Sequence, residues 1–279
     1  MAYKSLLTVI TDAATAKAPL DHITALAAAQ DAHVEALCLG VDRTQTGYYY
    51  AGANALILQE TLTRAHAEAA DLLAMAKETL SKSDIRWSAD DGVTPFADIA
   101  RHVALHARFS DLVVLPKPYG DERGAELEPL VEAALFDADA PVLVVPDGVA
   151  PCPAPSQVLV AWNQSREALA AIRAALPLLK QAKLVRIVVI DPPQHGPERS
   201  DPGGLLSQML ARHGVSCEID VVSKTMPRVS DVLNRHVVDK GADMIVMGAY
   251  GHSRFREAIL GGATRNMLEQ ATVPVFMAH

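Results

Sequence analysis

A chain of 279 residues, 50% hydrophobic, 21% charged and only 5% aromatic, has the length of two domains and is too apolar for general disorder. Ala, Val, Leu and Ile must therefore build the core, and a chain of this size buries roughly 75% of the surface that its unfolded form exposes. An excess of 33 acidic over 25 basic residues, net −8, leaves no basic stripe for a phosphate backbone, so nucleic acids and anionic membranes are disfavoured as partners.

From the N-terminus, Met1 to Lys4 lead into an apolar run that ends at Asp12. It is too short for the core of a secretory signal, and no run approaches the ~18 apolar residues of a membrane span. In the first half, β-branched runs predict strands at Ser5–Ile10, His33–Leu39, Ile85–Ala89, Leu112–Leu115 and Val142–Val145. A tyrosine-rich loop, Tyr48-Tyr49-Tyr50, precedes a long predicted helix over Ala53–Leu80. In the second half, strands are predicted at Val158–Trp162, Val185–Ile190, Ser216–Val222, Met244–Met247 and Val273–Met277. Helices fall between them at Arg166–Lys180, Gly203–His213, Arg228–Lys240 and Ala263–Gln270. Strands alternating with longer helices predict βαβ units around parallel sheets, here two tandem doubly wound α/β domains of five strands each.

Pro146, Pro151, Pro153 and Pro155 crowd one stretch that can join neither helix nor sheet. It predicts a linker at 147–156 between domains 1–146 and 157–279. The same punctuation recurs on both sides. Pro95 and Pro227, each before a predicted helix, lie 132 positions apart, as do Asp111 and Asp243, each opening a predicted strand; Pro141 and Pro274 are separated by 133. A tandem duplication accounts for all three offsets. Cys38, Cys152 and Cys217 are odd in number, scattered and never in a CxxC pair, so neither a disulfide framework nor a zinc site is expected, and a reducing cytoplasm fits best.

Ligands of open α/β sheets bind beyond the carboxyl ends of the strands. There the second half has Met247 followed by Gly248-Ala249-Tyr250-Gly251, and then Gly261-Gly262-Ala263-Thr264 leading into a helix. Glycines at such places admit unusual backbone angles and let a phosphate approach backbone N–H groups. His252, Arg254 and Arg256 outnumber Glu257 in the intervening loop, a basic excess that suits an anion. The same residues also have plain structural readings, since glycines after a strand form turns and loop arginines are commonly solvated.

The spacing Gly248-x2-Gly251-x9-Gly261, followed by Gly262-Ala263-Thr264 and a final Val-Pro-Val strand, resembles the ATP-binding branch of the universal stress protein family. The tandem organisation resembles the family's two-domain members over nearly the whole chain. The resemblance implies ATP or another adenine nucleotide, with or without Mg2+, in the second half. It assigns Gly248, Gly251, Gly261, Gly262 and Ala263 to ribose and phosphates, beside Met247. Asn163, after Ala161 and Trp162, falls where the family has an adenine-side Asp, and Val189 falls where a strand-two backbone faces adenine. Gly262 replaces a Ser or Thr of the family, a loss that Thr264 or backbone N–H groups offset in part. The resemblance further implies that the fifth strands, Val142–Val145 and Val273–Met277, pair the halves as an internal pseudo-dimer; a homodimer of chains is compatible with it.

The offsets place Pro116, Tyr119, Glu128 and Pro129 of the first half at the glycine positions, so no nucleotide is expected there by this mode. Asp12 retains the strand-one acid. No GxxxxGK[ST] loop occurs, and the first βα turns, Thr11-Asp12-Ala13 and Asn163-Gln164-Ser165, lack the glycine-rich turn of adenylating relatives. His102 and His106 stand four apart on a predicted helix without a nearby third metal ligand. The expectation is a cytoplasmic, nucleotide-dependent stress-response protein with no catalytic residues. A nucleotide-independent interaction module using the Tyr48–Tyr50 loop, and a slow ATP hydrolase using His252 or Thr264, are the alternatives.

Overall fold

The computed structural model describes residues 2–43, 55–120, 123–192, 200–249 and 262–279. They form two compact units, Tyr3–Ala140 and Pro141–His279.

The first unit contains β1 (Ser5–Ile10), α1 (Ala13–Gln30), β2 (His33–Asp42), α2 (Ala55–Leu80), β3 (Arg86–Pro95), α3 (Ile99–Ala107), β4 (Leu112–Pro116) and α4 (Leu127–Glu132), the last running into a π turn at Ala133–Asp137. Its strands lie in the order β3-β2-β1-β4, all parallel. Strands β1 and β4 are apolar because helices cover both faces of a parallel sheet. Edge strand β3 is mostly half-buried or exposed and carries Asp90 and Asp91.

The second unit contains β5 (Val142–Val145), β6 (Gln157–Ala161), α5 (Arg166–Ala174), α6 (Leu176–Leu179), β7 (Leu184–Ile190), α7 (Gly204–Arg212), β8 (Cys217–Val222), α8 (Val229–Lys240), β9 (Met244–Gly248), α9 (Ala263–Gln270) and β10 (Val275–Ala278). The order is β5-β10-β9-β6-β7-β8. All neighbours are parallel except β5 and β10, which run antiparallel with Val144 opposite Val275 and Val142 opposite Met277. The fifth strand of the first sequence repeat thus pairs with the fifth of the second, as the resemblance implied. All three cysteines are free, and no helix among the described residues is long and apolar enough to cross a membrane.

Two expectations are corrected. The helix over Arg166–Lys180 is two helices, α5 and α6, because Pro177 has no N–H to donate back into α5 and sits instead in the first turn of α6. The strand over Ile85–Ala89 continues to Pro95, its ladder with β2 running from His33 opposite Arg86 to Asp42 opposite Pro95. Asp90-Asp91-Gly92 reads locally as a turn, but pairing with β2 holds it extended.

The repeated aspartates explain one of the sequence offsets. Asp111 Oδ2 accepts the backbone N–H groups of Lys4 and Ser5 at 2.6 and 3.0 Å, while the Asp111 N–H donates to the Ser5 carbonyl at 2.8 Å. Asp243 Oδ2 accepts those of Ser156 and Gln157 at 2.6 and 2.9 Å, and its N–H donates to the Gln157 carbonyl at 2.9 Å. In each repeat one carboxylate ties the start of the fourth strand to the start of the first. Asp243→Ala leaves two backbone donors without that acceptor and is expected to lower stability by about 1–3 kcal/mol in urea unfolding followed by circular dichroism.

Candidate functional site

Strand β6 lies between β7 and β9, and the chain leaves it toward β7 on one side and reaches β9 on the other. Such a switch of winding direction opens a crevice beyond the carboxyl ends of the strands. A cavity of about 580 Å³ occupies it. Ala161, Trp162 and Asn163 enter from the end of β6, and Ser165 from the start of α5. Val188 and Ile190 enter from β7, Val229 and Leu233 from α8, Met247 and Gly248 from β9, and Ala263 and Thr264 from α9.

Local hydrogen bonds fix the β6 exit. The Trp162 N–H continues the ladder to the Val188 carbonyl at 3.0 Å, after which the chain turns away. Asn163 Oδ1 accepts the Ser165 N–H at 3.1 Å, and Ser165 Oγ caps α5 by accepting the Ala168 N–H at 3.1 Å. Between them Gln164 is held at φ 64°, and at the end of β7 Asp191 is held at φ 44°. Both are left-handed conformations that side-chain-bearing residues seldom adopt, and they stand at the exits of the two strands that border the cavity. Asp191 is tied by its N–H to the Val222 carbonyl, 3.0 Å, and by its carboxylate to the Lys224 N–H, also 3.0 Å.

Gly248 has a packing reason that spacing does not reveal. A Cβ on it would stand 2.5 Å from Ala168 N and 2.7 Å from Glu167 C, so α5 comes down onto this residue and only glycine fits. Gly262, the N-cap of α9, makes no side-chain capping bond and has an ordinary extended backbone, φ −57° and ψ 162°. Trp162 Nε1 is buried without a hydrogen-bond partner.

Of the residues singled out in the sequence, Ala161, Trp162, Asn163, Met247, Gly248, Ala263 and Thr264 line this one cavity. Val189 does not: its side chain is buried, and its neighbours Val188 and Ile190 line the cavity instead. Gly262 precedes the lining residue Ala263 without lining the cavity itself. Gly251, His252, Arg254 and Gly261 lie outside the described residues, as does the Tyr48–Tyr50 loop. Sequence reasoning missed Ser165, Val188, Ile190, Val229 and Leu233. The period-two alternation of β7 and the i, i+4 spacing of Val229 and Leu233 were available signals.

The described walls contain no carboxylate, imidazole or thiol. Mg2+ takes hard oxygen ligands and is usually held by one or two carboxylates besides substrate phosphates, so this set does not fit a protein-held Mg2+. Among the described residues no group of three His, Cys, Asp or Glu could hold a metal. His102 and His106 stack at 5.7 Å between ring centroids, and His106 Nδ1 lies 2.6 Å from Glu35 Oε1. Burial, then the neighbouring His106, holds the His102 imidazole below its ordinary pKa.

The corresponding region of the first unit carries acids of its own. Tyr119 Oη donates to Glu128 Oε1 at 2.7 Å, and the buried Glu126 carboxylate accepts from Arg43 at 2.7 Å. A cavity of about 330 Å³ at the end of β2 is lined in part by Glu68 and by Arg43 and Arg64, each of which pairs with that carboxylate.

Residues 156–279 match the universal stress protein family. A universal stress protein of Synechocystis is 26% identical over 146 residues, which are 52% of this chain and 45% of that protein, so the match spans under half of the relative's length. Among solved structures, a universal stress protein from Archaeoglobus fulgidus is similar over 98% of this chain and 95% of its own, with TM-score 0.76 and 14% identity. A putative universal stress protein from Pseudomonas aeruginosa is similar over 99% and 93%, with TM-score 0.59 and 16% identity. At these identities the structural likeness speaks to fold, and it extends over both units.

If Gly248 is required by the approach of α5, Gly248→Ala destabilises the protein with no ligand present, by about 1–3 kcal/mol. Thermal unfolding of the ligand-free variant checks this; an unchanged melting temperature would remove the packing explanation.

Proposed function

We propose, from the match of residues 156–279 to the universal stress protein family, that the cavity at the β6 exit binds an adenine nucleotide, ATP foremost, and that binding rather than turnover is the functional event. The observation that carries this reading is the convergence of Ala161–Asn163 with Met247–Gly248 and Ala263–Thr264 on one cavity at a topological switch point. Its volume falls within the range of small-ligand sites. Trp162, Val188, Ile190 and Met247 offer an apolar surface to a flat base, with Asn163 and Ser165 as polar groups at the rim. The β7 backbone supports the same assignment. The Val188 carbonyl faces β6, and by strand alternation Ile190 presents its N–H and carbonyl to the same side, beyond the point where β6 has turned away. A donor and an acceptor so placed match the N1 and amino edge of adenine.

Guanine would present two donor groups on its corresponding edge and would call for an acidic acceptor, which the described walls lack. The motif resemblance assigns ribose and phosphates to Gly248, Gly251, Gly261, Gly262 and Ala263, and the basic excess that includes His252 and Arg254 suits an anion there. A regulatory role in stress response follows the family. The packing role of Gly248 gives the rival, nucleotide-independent module its footing, because that glycine would be retained without any ligand.

Calorimetric titration separates the two. The proposal expects one ATP per chain, GTP weaker by at least about tenfold, and loss of binding in Gly261→Asp, where a carboxylate would meet the phosphates. A folded protein that gives no heat with ATP would leave the interaction module; unchanged affinity in Gly261→Asp would displace the site.

A further inference from the structure

The geometry points to Asp191 as the positioning residue that sets base selectivity here: without lining the cavity, it aims the Ile190 carbonyl at the base and ties two of the cavity's walls together. The inference rests on the nucleotide reading above and adds the residue through which the base edge is read. Asp191 closes β7 at φ 44°. Pro192 follows it, and a residue before proline is steered toward extended backbone, so two preferences oppose the observed angle. Two hydrogen bonds hold the residue against them.

The first bond fixes a direction. The Asp191 N–H donates to the Val222 carbonyl of β8 at 3.0 Å. That N–H shares one planar trans peptide with the Ile190 carbonyl, and in such a peptide the two groups point opposite ways. The carbonyl is therefore aimed away from β8, toward the side that β6 has left, where Ile190 lines the cavity. The second bond holds the residue that makes the first: Asp191 Oδ1 accepts the Lys224 N–H at 3.0 Å. Lys224 stands between β8 and α8, so this carboxylate ties the β7 exit to the connection that delivers Val229 and Leu233 to the same cavity. The first unit has no such lock at the corresponding exit. Its β2 stays paired with β3 as far as Asp42 opposite Pro95, and neither Asp42 nor Arg43 is left-handed.

The test is calorimetric titration of ATP and of ITP into the intact protein, Asp191→Gly and Asp191→Asn. ITP carries a carbonyl where ATP carries its amino group, so it sets an acceptor against the Ile190 carbonyl. Glycine adopts φ 44° freely but lacks the carboxylate, whereas asparagine tolerates the angle and keeps Oδ1 as an acceptor for the Lys224 N–H. Thermal unfolding verifies that both variants fold. Expected are a wild-type preference for ATP over ITP of about tenfold or more, a preference below about threefold in Asp191→Gly, and the wild-type preference restored in Asp191→Asn. Wild-type protein that binds ATP and ITP alike would overturn the inference without recourse to any variant, and the nucleotide site would stand. An Asp191→Gly protein that is weaker for both ligands with their ratio unchanged would also overturn it, since a merely structural residue behaves that way. No wild-type binding of ATP would overturn the nucleotide reading and the inference with it.

Discussion

A parallel strand with neighbours on both sides cannot have its carboxyl end covered by both crossovers when the chain winds away in opposite directions, and β6 is such a strand. From that constraint the rest of the site follows. The crevice is bounded by whatever the exits of β6, β7 and β9 carry, and helices α5, α8 and α9 close its sides. Asp243 fixes the opposite end by tying the start of β9 to the start of β6, so the two strands enter the sheet together and their exits stay in register.

The exits hold their shape at a conformational cost. Gln164 and Asp191 occupy the left-handed region without being glycine, a strain of about 1–3 kcal/mol each that persists only where surrounding bonds fix the backbone. Here those bonds are the Asn163–Ser165–Ala168 chain at one exit and the contacts of Asp191 with Val222 and Lys224 at the other. Rigid exits around a neutral, mainly apolar cavity are suited to holding a flat ring. In the first unit, Glu126 is buried against Arg43 and Glu128 is bonded to Tyr119. The two repeats share the frame, including the aspartate that ties the strand starts, and differ in the chemistry beyond them.

Much of this was legible in the sequence because it is encoded locally. Short apolar and β-branched runs marked the strands, the offset between Asp111 and Asp243 marked a shared hydrogen-bond device, and the glycines after Met247 marked a strand exit. What was not legible depends on residues far apart in the chain. The packing role of Gly248 shows only when α5 is seen against it, and Val229 and Leu233 reach the cavity only because the crossover into β9 runs along its side. The extension of β3 through Asp90-Asp91-Gly92 depends on β2, and no local propensity announces it. Which β7 residues line the cavity, Val188 and Ile190 rather than Val189, is visible only once the facing strand is known.

The central claim, a nucleotide site in the second unit at the β6 exit, is tested most directly by amide hydrogen exchange with and without saturating ATP. The account predicts slowed exchange at Trp162–Ala168, Val188–Ile190 and Met247–Ala249, with no change at Ile10–Ala16 or Val113–Leu115 of the first unit. Protection confined to the first unit, or exchange unaltered throughout, would contradict it.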